Sequence, residues 1–454
     1  MKKLLLFGIT LSFLISCTKD KEGLEIIKPT EKVVSSEITN RWAEKLLRFV
    51  RYQPLNSPTY ISRAMGYMGL TLYETVVNGS IIYQSIAPEL NGLGDLPKPT
   101  GEIDWETALN EGQYYMVFRM WQHSQNNYKL PIDSLYNDIL IQRTLVVKDT
   151  AILNRSKRYG TSVAEKIYNW SITDGGNLGY LNNFDFKYKI PQGLQYWTPP
   201  SNGQSSILAP MAPAWGKNRP MVALNGSIPI PQIMDYSTDK NSKYFAEFKE
   251  VYDMNVNLTK EQKELALWWG DDPSESAAPA GHSYNLARQL VQLKKLNLFE
   301  AASVYAKVGL SVADAFVCCW KVKYTYHSVR PTPYILRNIK MPYEQFWPEP
   351  PFPAFPSGHS SQGAATATAL ISVFGNDVSF TDNTHVPKIK DYLRNVDYKA
   401  RSFTTIWQTA EECGISRLYG GIHTRQDNVA GLDLGKKVGE NITNLHWKKT
   451  TASM

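Results

Sequence analysis

The chain has 454 residues, 43% of them hydrophobic and 20% charged, with 49 basic against 42 acidic side chains and a net charge of +7. That is enough chain for one large core or two packed units. A positive surplus this small and this dispersed excludes a nucleic-acid binder built on a basic face.

The chain opens Met1-Lys2-Lys3, runs apolar from Leu4 to Leu14, and then reads Leu14-Ile15-Ser16-Cys17. A charged start and a short hydrophobic stretch mark residues 1–16 as a secretory signal. Its ending, Leu-x-small-Cys, resembles a bacterial lipoprotein signal and implies a lipidated Cys17 as the mature N-terminus. Residues 17–40, with the charged run Thr18-Lys19-Asp20-Lys21-Glu22, are expected to form a flexible tether. The expected location is the cell envelope, with the chain lipid-anchored to the outer membrane on its periplasmic or surface side.

From residue 41 to 454 the spacing predicts helices. Apolar residues recur at helical intervals through Trp42, Leu46, Leu47 and Val50, then Met65, Met68 and Leu72. The same period predicts helices over Glu106–Trp121, Ser134–Leu145, Ser156–Tyr168, Phe245–Met254, Lys260–Trp269, His282–Leu293 and Phe299–Tyr326. Strand-like alternation is scarce. Residues 180–235, rich in Pro, Gly and Asn, are expected to form a long irregular excursion. The fold class is therefore all-α, and two four-helix bundles fit the length. Beyond Cys17 the cysteines are Cys318, Cys319 and Cys413. An envelope location permits one of the adjacent pair to bridge Cys413, and an odd count leaves at least one free thiol. Buried, reduced thiols are the default reading.

The chemistry concentrates between residues 316 and 430. Lys323 is followed after six residues by Arg330-Pro331; Pro356-Ser357-Gly358-His359 comes next; then Ser416-Arg417, His423 and Asp427. Arg330 and Arg417 each offer a planar fork of donors suited to two oxygens of one anion, and Lys323 adds a point charge. Ser357 and the Gly358 N–H precede a helical stretch, where donors face an anion with the favourable end of the dipole. His423 and Asp427 are spaced i, i+4. A helix opened by Gly420-Gly421 would let the carboxylate fix the imidazole tautomer. His359 is placed to act as general acid or base. Singly each motif reads as a surface charge, a structural histidine or a turn. Together they set eleven residue identities in one order.

These motifs resemble those shared by vanadium-dependent haloperoxidases and the type 2 phosphatidic acid phosphatases, including soluble bacterial acid phosphatases. The resemblance implies one vanadate per chain, hydrogen-bonded by Lys323, Arg330, Ser357, Gly358 and Arg417, with His423 as the axial bond to vanadium. It implies His359 as the acid–base residue and Lys323 as the group polarising bound peroxide. In the phosphatase version His423 is the nucleophile, through a phosphohistidine, and His359 protonates the leaving group.

Four features bear on the choice. Trp320 stands one helical turn before Lys323, with Phe316 a further turn back. Haloperoxidases have a similar aromatic on the halide side, although a core Trp reads the same way. Phe352, five residues before Ser357, matches a position that tunes the halide site; a packed Phe in a rigid proline-rich loop is the competing reading. The long region before Lys323 is similar to bacterial haloperoxidases and unlike compact soluble phosphatases. Within it Trp268-Trp269-Gly270-Asp271-Asp272 resembles the place where an acid meets the second arginine, so Asp271 or Asp272 is the expected partner of Arg417. Finally, no stretch past the N-terminus reaches about 18 uninterrupted apolar residues, unlike the lipid phosphatases.

The expected activity is peroxide-dependent oxidation of a halide to hypohalous acid, with iodide and bromide ahead of chloride because they are easier to oxidise. Its partners are hydrogen peroxide, the halide and, through Cys17, a membrane. A soluble acid phosphatase is the alternative. A protein that merely binds phosphate would not need His359 and Asp427. The 56 residues between His359 and Ser416 make a long insertion, expected to reshape the entrance.

Overall fold

The computed structural model describes residues 34–450. The signal sequence, Cys17 and most of the tether lie outside the described residues. The expected tether is too long at its C-terminal end. Helix α1 (Glu37–Arg51) already includes Glu37–Asn40, because Ile38 and Thr39 are buried.

Helices α2 (Pro58–Glu74), α3 (Trp105–Met120), α4 (Asn126–Val147) and α5 (Thr150–Ser171) follow. After the 180–235 excursion come α6 (Lys243–Val256), α7 (Lys260–Trp268), the short α8 (Pro273–Ser276), α9 (Ala278–Lys294) and α10 (Leu298–Tyr326). The chain closes with α11 (Pro331–Asn338), α12 (Gly358–Phe374), α13 (Trp407–Tyr419) and α14 (Arg425–Thr443). The excursion is irregular apart from single 3-10 turns. Asp314, fully buried on α10, pins part of it by accepting from the Met221 and Val222 N–H groups and from Asn225 Nδ2.

Among the described residues the strands form two short antiparallel ribbons within the 380–403 segment. One pairs β1 (Phe380–Asp382) with β4 (Arg401–Phe403), the other β2 (Lys390–Asp391) with β3 (Val396–Asp397).

The helices form two bundles that share α10. On one side α10 packs against α2 and α9, and α2 continues the layer to α3 and α5; on the other it packs against α12 and α14, joined by α13. Its Asn297 cap and Glu300 exchange hydrogen bonds as a capping box. Among the described residues α10 is the one helix long and apolar enough to cross a membrane, and 94% of its apolar window is buried inside the protein.

The second bundle is drawn tight by small residues. Gly431, Gly435 and Gly439 lie along one face of α14 against α12. A Cβ at Gly435 would run into the Ser361 carbonyl oxygen.

The default reading of buried, reduced thiols holds for the three described cysteines, and the bridge to Cys413 that an envelope location permits is not formed. Cys318, Cys319 and Cys413 are free and buried. Their thiols approach three separate carbonyls, of Asn225, Pro356 and His359, so no two sulfurs are directed at each other.

Candidate functional site

The proline-rich segment before α12 has no helix or strand to absorb its carbonyls. Two buried cations gather them. Lys323 Nζ donates to the carbonyls of Pro353 (2.9 Å), Ala354 (2.7 Å) and Pro356 (2.6 Å), using all three of its N–H groups. Arg330 donates to Phe352 O from Nε (3.1 Å), and through its other nitrogens to Pro353 O and to Ile422 O (2.8 Å). Burial drives Lys323 down to about 7 and Arg330 down to about 10, the latter against the nearby carboxylates of Glu349 and Asp427.

The segment ends at Ser357, which caps α12 by accepting from the Ser360 N–H (3.3 Å). Gly358 and His359 form the first turn and line a cavity of about 480 Å³. A Cβ at Gly358 would meet the Trp320 ring at 3.7 Å, an ordinary contact. Glycine there leaves the wall open without relieving any clash.

His423 is not on a helix. Gly420 caps α13, and α14 begins only after the Thr424 cap, so the expected opening at Gly420-Gly421 is corrected by four residues. The pairing with Asp427 comes instead from the turn into α14. Asp427 Oδ2 accepts from the Thr424 N–H (3.0 Å) and from His423 Nδ1 (3.1 Å). Arg330 lies 3.2 Å from His423 Nε2. An arginine can only donate, so these partners set the proton on Nδ1 and leave Nε2 with a lone pair. Burial, then Arg330, Lys323 and Arg417, hold His423 well below the usual histidine range.

Arg417 on α13 donates to the Trp269 carbonyl at 2.8 Å. No ion pair joins it to Asp271 or Asp272 among the described residues, contrary to the sequence expectation. Asp271 Oδ1 is taken by Ser276 Oγ (2.6 Å) and His282 Nδ1 (2.8 Å), and Asp272 accepts from Gln204 (3.3 Å). Burial pushes Asp272 up to about 6, against Arg417.

The cavity wall has an apolar side. Trp320 and Phe352 are tilted together at 4.9 Å between centroids, and Phe316 packs on Trp320 at 5.2 Å. All three line the cavity with Asp271, Asp272, Gly358, His359, Arg417 and His423. Lys323, Arg330 and Ser357 sit behind it, fully buried.

Three atoms on this wall are buried without a hydrogen-bond partner among the described residues: Arg417 Nε, His359 Nε2 and Asp271 Oδ2. Burial and Arg417 hold His359 well below its ordinary value, against Asp271 and the Gly270 backbone it hydrogen-bonds. His359 is therefore neutral, with its Nε2 on the cavity wall. The one orphan donor, Arg417 Nε, and the concentration of buried positive charge around it fit a tetrahedral oxyanion.

A family model of the second helical-bundle domain of vanadium chloroperoxidase matches residues 340–450. Across the whole fold, the chain is similar to the crystal structure of the first bacterial vanadium-dependent iodoperoxidase. That likeness has 26% identity and a TM-score of 0.78, covering 94% of this chain and 100% of that one. The segment that matches this family model contains His359, Arg417 and His423, and over nearly its whole length the chain has the fold of a vanadium-dependent haloperoxidase. It is also 23% identical over 465 residues to the vanadium chloroperoxidase of Curvularia inaequalis, covering 84% of this chain and 76% of that one. A holo-type bacterial vanadium-dependent chloroperoxidase shares the fold at 16% identity and a TM-score of 0.69, covering 92% and 98% of the two chains.

Behind this site stands a buried group that sequence reasoning missed. His282 lies between Asp271 and Asp382, 2.8 Å from each, and stacks on Trp269 at 4.3 Å. Asp382 also accepts from Trp268 Nε1 (2.6 Å) and Gln289 (2.9 Å). Burial alone pulls His282 down, but the two carboxylates overcome it and push it up to about 10. Both nitrogens thus carry protons, which leaves no lone pair for a metal. Asp382 and its neighbour His385 come from the long insertion. None of residues 360–415 lines the cavity. The insertion buttresses the site from behind and does not reshape its entrance. A signal was available only for Gln289, seven residues from His282 on the same face of α9.

Proposed function

We propose that this chain oxidises iodide or bromide with hydrogen peroxide, giving hypohalous acid and water from halide, peroxide and one proton. The observation that carries the halide reading is the Trp320–Phe352 pair on the wall beside Gly358 and His359. An aromatic wall desolvates a soft, polarisable anion at little cost. The likeness to a vanadium-dependent iodoperoxidase supports iodide.

The resident cofactor is one vanadate per chain, which supplies Lewis-acid activation of peroxide without changing oxidation state. His423 Nε2, unprotonated and with its ring oriented by Asp427, would be the residue that holds vanadium. The Gly358 N–H at the α12 N-terminus and Arg417 across the cavity would supply donors, and the Ser357 hydroxyl, buried behind the wall as the α12 cap, would add one only by turning toward the anion. Lys323 and Arg330 contribute positive charge from behind the loop; hydrogen bonding by Lys323 itself requires release of one of its three carbonyls. His359 Nε2 accepts a proton from the incoming peroxide. The chain acts from the envelope, tethered through a lipidated Cys17.

The test is iodide oxidation by purified apo-protein in peroxide, with and without vanadate, alongside p-nitrophenyl phosphate hydrolysis without vanadate. Triiodide formation that requires vanadate, and that His423→Ala abolishes while the melting curve is kept, is expected. Phosphate release that vanadate inhibits would make the chain a phosphatase using His423 as nucleophile.

A further inference from the structure

A second cavity, of about 500 Å³, lies between α1 and α9. Glu44, Leu47, Arg48 and Arg51 reach it from one face of α1, and Gly281, Asn285 and Arg288 from one face of α9. Ser276 also lines it and donates to Asp271, so the two cavities stand on opposite sides of that contact.

Three arginines converge here without a counter-ion. None of Arg48, Arg51 and Arg288 is ion-paired among the described residues. Arg51 Nε is buried with no hydrogen-bond partner. Arg288 is oriented by neutral acceptors, Asn285 Oδ1 at 2.9 Å and Gln292 Oε1 at 3.3 Å. The acidic lining residue is Glu44, which is exposed. Lys388, ion-paired to Glu275, is pushed down to about 8 by burial and then by Arg51.

The α1 pair has a local explanation, because cations in a last helical turn complement the dipole. That account does not reach Arg288, which faces them from the opposite wall. Like charges brought to one cavity repel unless an anion joins them.

We infer that this cavity is a second anion site, taking a phosphate-type oxyanion between Arg48, Arg51 and Arg288. Guanidinium forks on two walls match a tetrahedral anion with several charged oxygens. The anion is either free or the phosphate of a lipid headgroup.

Protein loaded with one equivalent of vanadate is titrated calorimetrically with inorganic phosphate. In parallel the Cys17→Ser protein, which lacks the proposed lipid anchor, and the same arginine variants in that background are sedimented with phosphatidylcholine vesicles containing phosphatidylglycerol. One phosphate per chain is expected, weakened at least about tenfold in Arg51→Gln/Arg288→Gln and also in Arg48→Gln, whose side chain is exposed. That factor corresponds to about 1.4 kcal/mol. Vesicle binding lost in the same variants, without binding of free phosphate, supports the site and assigns its anion to a headgroup. Binding in neither arm, or binding that the variants retain, overturns the inference; retained phosphate binding would be displacement at the His423 site. Vanadate-dependent iodide oxidation should be unchanged in all three proteins.

Discussion

His282 and His423 are both buried histidines, yet their neighbours drive them to opposite states. Burial and then three cations keep His423 neutral despite its bond to Asp427; two carboxylates keep His282 charged despite burial. The charged state has a measurable signature. A histidine raised from 6.5 to about 10 on folding contributes stability that is whole below pH 6.5 and is lost as pH rises through about 10. Its partners Asp271 and Asp382 are held below their ordinary value by His282 against burial, so their share is lost only as pH falls below the usual carboxylate range. The gap in melting temperature between the protein and His282→Gln should therefore narrow steadily from pH 6.5 to 10. A gap of constant width would mean that His282 is neutral. The motif residues were legible in the sequence because oxyanion chemistry demands their identities. His282 and Asp382 were not, since they lie 100 positions apart and meet between a helix and the end of a three-residue strand.

Helix packing sets how accurately those residues meet. α12 carries Ser357 and His359, α14 carries Asp427, and the two cross at Gly431 and Gly435. Gly435→Ala should cost about 1–3 kcal/mol by overpacking, despite the better helix propensity of alanine, because the obstacle is backbone. Gly363→Ala is the control. Its Cβ meets Cys413 at 3.4 Å, at the edge of ordinary contact, so a change within about 0.5 kcal/mol is expected. Equal melting temperatures for the two variants would refute the close-crossing account. Helices were legible wherever apolar residues kept a 3.6-residue period. Their ends were less so. α4 begins at Asn126, eight residues before the expected start, and runs through Pro131. The start of α14 is set by a cap at Thr424, which the preceding glycine pair obscured.

At the scale of the molecule, an all-α architecture was legible from periodicity, and a pair of bundles from length. Their sharing of a helix was not, because periodicity shows that a face is buried and not what buries it. The proposed envelope tether is tested by fractionation. The chain should sediment with membranes, and Cys17→Ser should leave it in the soluble fraction; equal partitioning of both would end the lipid-anchor proposal. The shared helix carries a further consequence. α10 bears Trp320 and Lys323 while packing on both bundles, and the matched family domain begins only at residue 340. The C-terminal bundle is therefore not a transplantable cassette. Cut at that boundary, it would carry away His359, Arg417 and His423 but leave behind Lys323, Arg330 and half of the aromatic wall, so the catalytic unit is the whole chain and not the segment that family resemblance outlines.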